Sequence, residues 1–438
     1  MSTRLRAILL LPLASVLFSI PAAPARADQA AGVPSVDVVQ VQGVIDPAVA
    51  AYVRGSIDRS AAVGATVVLQ LDSEGTFGDE AVRLGRLIRS ASVPVITWVG
   101  PAGAQAAGGA LFVLYGSSLP AMAPGAGLGP ARPFDLDTKA SRERPALVAE
   151  RGAELGALAQ GVGVAPSAIR RLLSGPPLAA GPALDAGAVA LVARDLPGLL
   201  GKLDGRTVAA AHGPVVLATA GRPGRPVAVR FHELGPIRRV WHAVSTPAAV
   251  YVLVVLGLWA LAFELTQPGF GVAGMAGLLF LGLAAYGLSV VPIHWLGLAM
   301  ILVGTALQGT DVLLRRVHVL TLAGTALFAM GSVVAWWGVA PPVVPATWLI
   351  VVASIGGALF FGFAMTVALK ARERIRTAQV GLVGLLGEVR TDLDPEGGVL
   401  VKGALWRARS MDGKIPKGTR VRVRGVDGLI LRVEEEPD

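Results

Sequence analysis

The chain has 438 residues, 53% of them hydrophobic and only 16% charged, so it has room for two or three domains. A soluble globular chain carries roughly a quarter charged residues, and the apolar excess therefore belongs in membrane segments. The absence of cysteine excludes disulfides, thiol catalysis and cysteine-ligated metals, and the net charge of +9 rests on dispersed arginines that form no tract suited to nucleic acid.

The N-terminus opens with "MSTRLRAILLLPLASVLFSIPAAPARADQ". Arg4 and Arg6 precede an apolar run from Ala7 to Ile20, and a small-residue "ARA" follows. This is the pattern of a secretory signal peptide over 1–27, with cleavage expected after Ala27. Residues 36–205 then alternate strand and helix. "VDVVQVQG" (36–43) is a strand. Residues 46–64 have helical spacing, with Asp46 as N-cap and Pro47 at N1. Residues 65–72 and 93–99 read as buried strands, 78–91 and 106–118 as helices, and 183–205 as a small strand and a closing helix. Short connections between alternating strands and helices predict a parallel sheet.

Residues 206–247 contain a Gly/Pro-bearing connector with His212 and His232. Five apolar stretches follow within 248–370: about 248–266, 271–291, 294–312, 317–338 and 345–369. Each approaches the roughly 20 residues that cross a bilayer core. Glu264 and Asp311 sit near span ends. For Glu264, an interfacial acid and a polar contact inside the bundle are equally compatible with its place. A cleaved leader places 36–205 outside the cytoplasm, and five spans return the C-terminus inside. Arg315, Arg316, Lys370, Arg372, Arg374 and Arg376 then fall inside, as the positive-inside rule requires; Arg238 and Arg239 are the contrary pair. Residues 379–438 alternate apolar and polar over several short strands, which predicts a small β-barrel. Basic and acidic residues are balanced there and Trp406 is its one aromatic, which argues against nucleic-acid binding.

The order of leader, α/β domain, membrane bundle and barrel resembles the long form of the NfeD family, membrane-bound proteins with a ClpP-class serine protease domain. The likeness is carried by "VVLQLDSEG" (67–75), "VPVITWVGPAGAQAAGGA" (93–110), "MAPGAGLGPARP" (122–133), "GLWALAFELTQPGFGVAGMAG" (257–277) and "DLDPEGGVLVKGALWRARS" (392–410). The resemblance implies a ClpP/crotonase-like α/β domain, a bundle of about five transmembrane helices and an OB-type barrel. It also implies a Ser–Lys dyad, stomatin-like membrane partners and a homo-oligomer in the bacterial cytoplasmic membrane.

Carried over residue by residue, the dyad is missing. The serine of the family's A-A-S-A-G falls on Gly108, and the lysine falls near Ala146; no lysine lies between Ala140 and Gly201. Lys139 stands in a polar stretch that reads as a solvated loop. The family's P-G-G becomes Glu74, Gly75 and Thr76. Gly75 is kept, Thr76 replaces the second glycine, and Glu74 reads as an exposed loop acid whose charge is the wrong sign for an oxyanion site. No histidine precedes His212, and Ser117 and Ser118 read as helix-end or solvent-facing residues. Gly103 and Gly109 remain as parts of a possible peptide groove. No metal or cofactor is expected, since the histidines are scattered without ligand spacing. The expectation is a degenerate protease homologue acting as a scaffold or binding partner. The competing readings are an active serine endopeptidase with a noncanonical site, and a transport component built on the five spans.

Overall fold

The computed structural model describes residues 34–221, 226–265, 271–314, 319–365, 367 and 381–436. The leader at 1–27 and the basic positions Arg315, Arg316, Lys370, Arg372, Arg374 and Arg376 lie outside them.

The chain starts with β1 (Ser35–Gln42), α1 (Pro47–Ala62), β2 (Thr66–Asp72), α2 (Glu80–Arg89) and β3 (Val95–Val99). Next come β4 (Gln105–Ala106), α3 (Ala110–Gly116), β5 (Leu119–Met122), β6 (Gly127–Leu128), α4 (Pro145–Gln160) and α5 (Pro166–Ser174). The domain continues through β7 (Leu178–Ala179), α6 (Ala180–Asp185), β8 (Leu191–Val192), α7 (Leu196–Leu203), β9 (Thr207–Ala210), β10 (Gly213–Val216) and β11 (Ala228–His232). Six strands form one parallel sheet in the order β11-β1-β2-β3-β5-β8. Helices cover its faces, so β3 is buried at every residue, as parallel strands usually are. A second small sheet, β4-β6-β7, stands beside it. This is the ClpP/crotonase-like α/β domain.

The α1 start follows its sequence. Asp46 Oδ1 accepts the Val49 amide at 2.8 Å, and Pro47 occupies N1, where a missing N–H costs nothing. The stretch read as a connector does more than connect, because β11 joins the sheet edge beside β1. Three of its five residues, Ala228, Val229 and Phe231, are apolar, but four of the five are exposed, so it has no buried face to mark it as a sheet strand. A buried carboxylate holds it instead. Asp37 on β1 accepts from Arg230 Nε at 2.7 Å and Nη2 at 3.0 Å, and from Ser60 Oγ at 2.6 Å. Burial opposes the Asp37 charge, but the hydrogen bonds from Arg230, Ser60 and His232 outweigh it and hold its pKa below the usual carboxylate range.

Helix α8 (Pro236–Val244) leads into α9 (Pro247–Glu264), α10 (Val272–Val290), α11 (Trp295–Leu314), α12 (Val319–Val334) and α13 (Thr347–Leu359). Helix α13 continues as a π-helical turn, Phe360–Ala364. Among the described residues, four stretches are long and apolar enough to cross a membrane: Pro247–Glu264, Val272–Val290, Trp295–Leu314 and Pro341–Phe363. Helix α12 is apolar but shorter, because the chain leaves the helix at Ala335. The expected span at 317–338 is thus shortened at that end.

Helices α9–α10 and α11–α12 are two hairpins built alike. Gly257 faces Gly277 and Gly304 faces Gly324, each pair letting two helix backbones touch. Glu264 accepts the Gly274 amide at 3.0 Å, and Asp311 accepts the Thr321 amide at 2.9 Å. Each acid caps the helix that follows, at the same interval of ten residues. Every position in the second hairpin lies one constant interval after its counterpart in the first, which marks an internal repeat. Glu264 is therefore a polar contact within the bundle.

The chain ends in a closed five-stranded barrel of β12 (Leu386–Val389), β13 (Glu396–Val401), β14 (Ala404–Ser410), β15 (Arg420–Asp427) and β16 (Ile430–Glu435). Its order is β12-β13-β14-β16-β15, with β14 and β16 parallel, which is the OB arrangement.

Candidate functional site

Three loops meet where the resemblance places the protease centre. Beyond β2, Ser73 donates its amide to Gln105 O at 2.7 Å and accepts the Ala107 amide at 3.0 Å. This stitches residues 72–76 to the loop before α3. The third loop runs across both: Gly127 donates to Ala104 O at 2.9 Å, Gly129 to Ala106 O at 2.7 Å, and Leu136 to Thr76 O at 3.0 Å. The Gly108 amide is committed to Pro130 O at 2.8 Å.

Gly108 is buried and has φ +54°, in the left-handed region that residues with a Cβ seldom adopt. A Cβ there would lie 2.6 Å from Pro133 O and 3.4 Å from Glu74 O. The space where the resemblance would put a nucleophile's side chain is thus filled by the backbone of the third loop. At Gly109 a Cβ would come within 2.4 Å of Thr76 Cγ2. Leu136 lies over Gly75, where a Cβ would be 3.1 Å from Cγ. Gly103, by contrast, is exposed with open space around it. Of the two glycines read as parts of a groove, Gly103 thus faces open space and Gly109 is packed against Thr76.

Thr76 is fully buried, and its hydroxyl donates to Ile45 O at 2.8 Å and accepts the Ala81 amide at 3.3 Å. It ties Ile45 ahead of α1, its own loop and the start of α2 together, a structural task in the segment that the resemblance assigns to the oxyanion site. Glu74 is exposed, as expected of a loop acid. Ala146 sits in the first turn of α4, exposed, and Lys139 is exposed in the preceding loop. Ser117 is fully buried rather than solvent-facing; its Oγ donates to Leu114 O at 2.6 Å and closes α3. The sequence reading gave no weight to Ser73. Its buried hydroxyl lies 3.1 Å from Gly75 O and 3.3 Å from the Gly75 amide, which it serves as a turn partner.

The same loops form the joint with the membrane bundle. Phe77 and Leu136 pack in one apolar cluster with Val339, Ala340 and Val343. Ala340 donates to Leu136 O at 3.3 Å, and the Lys139 amide donates to Gly338 O at 3.0 Å. On the other side of the joint, His242 Nδ1 lies 2.8 Å from Asp46 Oδ2. Asp46 therefore both caps α1 and anchors α8. A cavity of about 840 Å³ opens beside this joint, lined among others by Asp135, Asp137, Glu143, Arg83 and Arg151.

The charges at the joint share one pH response. The hydrogen bond to Asp46 raises the His242 pKa above the ordinary histidine value, against burial. Burial raises Asp135, and burial with the charges of Asp135 and Glu143 pushes Asp137 up to about 6. The His242 contribution is complete below the ordinary histidine pKa and is lost as pH rises through the raised one. The cost of ionising Asp137 builds up as pH rises from its ordinary pKa to about 6 and is complete above that. Both groups make the joint firmer in mild acid. Amide exchange at 43–47 and 135–143, corrected for intrinsic rate, is expected to slow between pH 8 and about pH 5.5. A flat profile would contradict this.

An α/β domain seated on an apolar helical bundle and followed by an OB barrel defines an integral membrane protein of composite type. Residues 248–366 match the NfeD integral membrane domain, and residues 380–435 match the NfeD-like C-terminal, partner-binding domain. The chain is 30% identical over 420 residues to Membrane-bound protease PH1510 of Pyrococcus horikoshii, covering 91% of this chain and 93% of that protein. The chain belongs to the NfeD family. Among solved structures, the 1510-N membrane-bound stomatin-specific protease, in complex with a substrate peptide, is similar at 27% identity. That match covers 48% of this chain and 96% of the other, with a TM-score of 0.44. The C-terminal domain of stomatin operon partner protein 1510-C from Pyrococcus horikoshii is 48% identical over 14% of this chain and 100% of its own, with a TM-score of 0.14.

Proposed function

We propose that this NfeD-family membrane protein is a catalytically degenerate serine protease homologue that acts as a scaffold, its barrel docking a stomatin-like membrane partner. The observation that carries this reading is Gly108. The expected nucleophile position has no side chain, a left-handed backbone, and a carbonyl 2.6 Å from where a Cβ would stand. A serine protease needs a hydroxyl, a base and oxyanion donors meeting in one cleft. Here the loop bearing Pro133 and Leu136 fills that cleft and seats the domain on the bundle.

The α/β domain sits at the bundle end that carries residues 291–294 and 335–344, the loops without lysine or arginine. Counting the shorter α12 as a fifth crossing, this reading has the barrel on the opposite side. With the positive-inside rule this supports an α/β domain outside and a barrel in the cytoplasm of a bacterial cell.

The partner surface falls on the barrel. Leu405 is 67% exposed and borders a shallow pocket with Trp406 and Arg407. Trp406 and Arg407 are of the residue types that carry most binding energy at interfaces, and the exposed Leu405 beside them adds apolar area to the same patch. The test is co-purification of the full chain with a stomatin homologue from the same organism. Leu405→Glu is expected to weaken that association by about tenfold or more, while Lys414→Ala leaves it unchanged. Equal retention by Leu405→Glu and the unaltered chain would contradict this surface.

A further inference from the structure

We infer that the bundle holds an anionic phospholipid in the groove between α12 and α13. The groove has a volume of about 750 Å³. Its walls are apolar, with Val333, Trp337, Ile350, Val351 and Ile355 among them. The hydroxyls of Ser332 and Ser354 in its floor are already bonded to the carbonyls of Phe328 and Ile350, each at 2.8 Å. They leave no polar demand on an occupant, and an acyl chain suits such walls.

The mouth is cationic. Lys139 and Arg142 line it, both exposed, and neither has an ion-pair partner among the described residues. Arg142 reaches over Gly338, where a Cβ would come within 2.5 Å of Nη1. Asp137, two residues before Lys139, lines the adjoining cavities rather than this one. Two cations at the membrane surface above an apolar slot complement a phosphate above a hydrocarbon tail. Trp336, which also lines the groove, is 4% exposed, and its buried Nε1–H finds no acceptor among the described residues. A buried donor without a partner is costly, and a lipid ester or phosphate oxygen would satisfy it.

Depth separates a lipid from a partner helix. The α13 residues lining the groove run from Thr347 to Ile355. At about 1.5 Å per residue this is about 12 Å, close to the roughly 15 Å of one leaflet's hydrocarbon. A transmembrane helix would need a groove along the whole span. The slot is built to the depth of a single acyl chain, starting at the charged end.

The test uses the full chain in nanodiscs of equal phosphatidylglycerol and phosphatidylcholine with identical acyl chains, read by native mass spectrometry of retained lipid. Retention is expected to favour phosphatidylglycerol, and Lys139→Ala with Arg142→Ala to lower that preference about tenfold. Removing equal charge from α5, by Arg170→Ala with Arg171→Ala, should leave it intact. Val351→Trp, which fills the slot, should lower retention of both lipids. Should the double variant fail to fold, Lys139→Gln gives the same readout at an exposed position. Equal retention of the two lipids by the unaltered chain would overturn the proposal. So would a preference that survives loss of both cations, or a photocrosslinker at residue 351 that captures a protein helix instead of lipid.

Discussion

Gly108→Ser with Ala146→Lys, which would supply the dyad that the resemblance implies, is expected to leave the chain without peptidase activity and to destabilise the α/β domain. The reason is local. A serine at 108 would keep a backbone at φ +54° and drive its Cβ to 2.6 Å from Pro133 O. The left-handed conformation alone costs about 1–2 kcal/mol for a residue with a Cβ. The clash is with main chain that is itself held down, since Pro130 O accepts the Gly108 amide and Leu136 donates to Thr76 O. Relief would lift the third loop and with it the contact of Leu136 with the bundle. A total loss of about 3 kcal/mol or more is expected, read as a lower midpoint in thermal unfolding. Ala146→Lys alone, at an exposed position of α4, should be nearly neutral. A double variant that is as stable as the unaltered chain and cleaves peptides would show that the cleft is open and that only its residues have changed.

The second large effect lies in the membrane. Gly304→Leu should abolish the folded bundle. A Cβ on Gly304 would stand 2.7 Å from Gly324 O and 2.8 Å from the Phe328 amide nitrogen. These are backbone atoms of the facing helix, so no side chain can turn aside. Helices in lipid gain little from hydrophobic burial and associate through close packing, so separating these backbones removes the contact that holds the hairpin. It would also part Asp311 from Thr321, leaving a carboxylate that is 2% exposed without its donors in the bundle. The expected cost exceeds about 4 kcal/mol, the range of severe single substitutions. It would be seen as loss of the monodisperse peak in detergent chromatography. Gly282→Leu, where a Cβ meets open space, is the matched control and should be tolerated.

What the sequence made legible follows the range of the interaction. The α1 start at Asp46 and Pro47, the buried β3, the glycine-rich turn and the apolar helices are written in neighbouring residues, and they stand where the pattern put them. Edge strand β11 was not legible, because its apolar residues are exposed and what fixes it is long-range: its pairing with β1 and a buried carboxylate nearly two hundred residues away. The hairpin repeat was hidden for a similar reason. Its signature is two glycines and one acid per hairpin in a background of leucine, alanine and glycine, where spacing alone carries no contrast. At the candidate site the sequence showed that Gly108 lacks a hydroxyl. It did not show that Pro133 and Leu136 occupy the space a nucleophile and its substrate would need, nor that the same loop fastens the domain to the bundle. Those are contacts between segments distant in the chain, and only the fold brings them together.

The most direct measurement of the degenerate-protease reading is activity-based labelling of the full chain with a fluorophosphonate, before and after heat denaturation. The probe needs a nucleophilic hydroxyl whose proton is taken by a base in the same cleft. With glycine at 108 and its space filled by Pro133 O, no labelling above the denatured control is expected. Stoichiometric labelling of the native chain that heat abolishes would contradict the account, and the labelled residue would identify the noncanonical nucleophile.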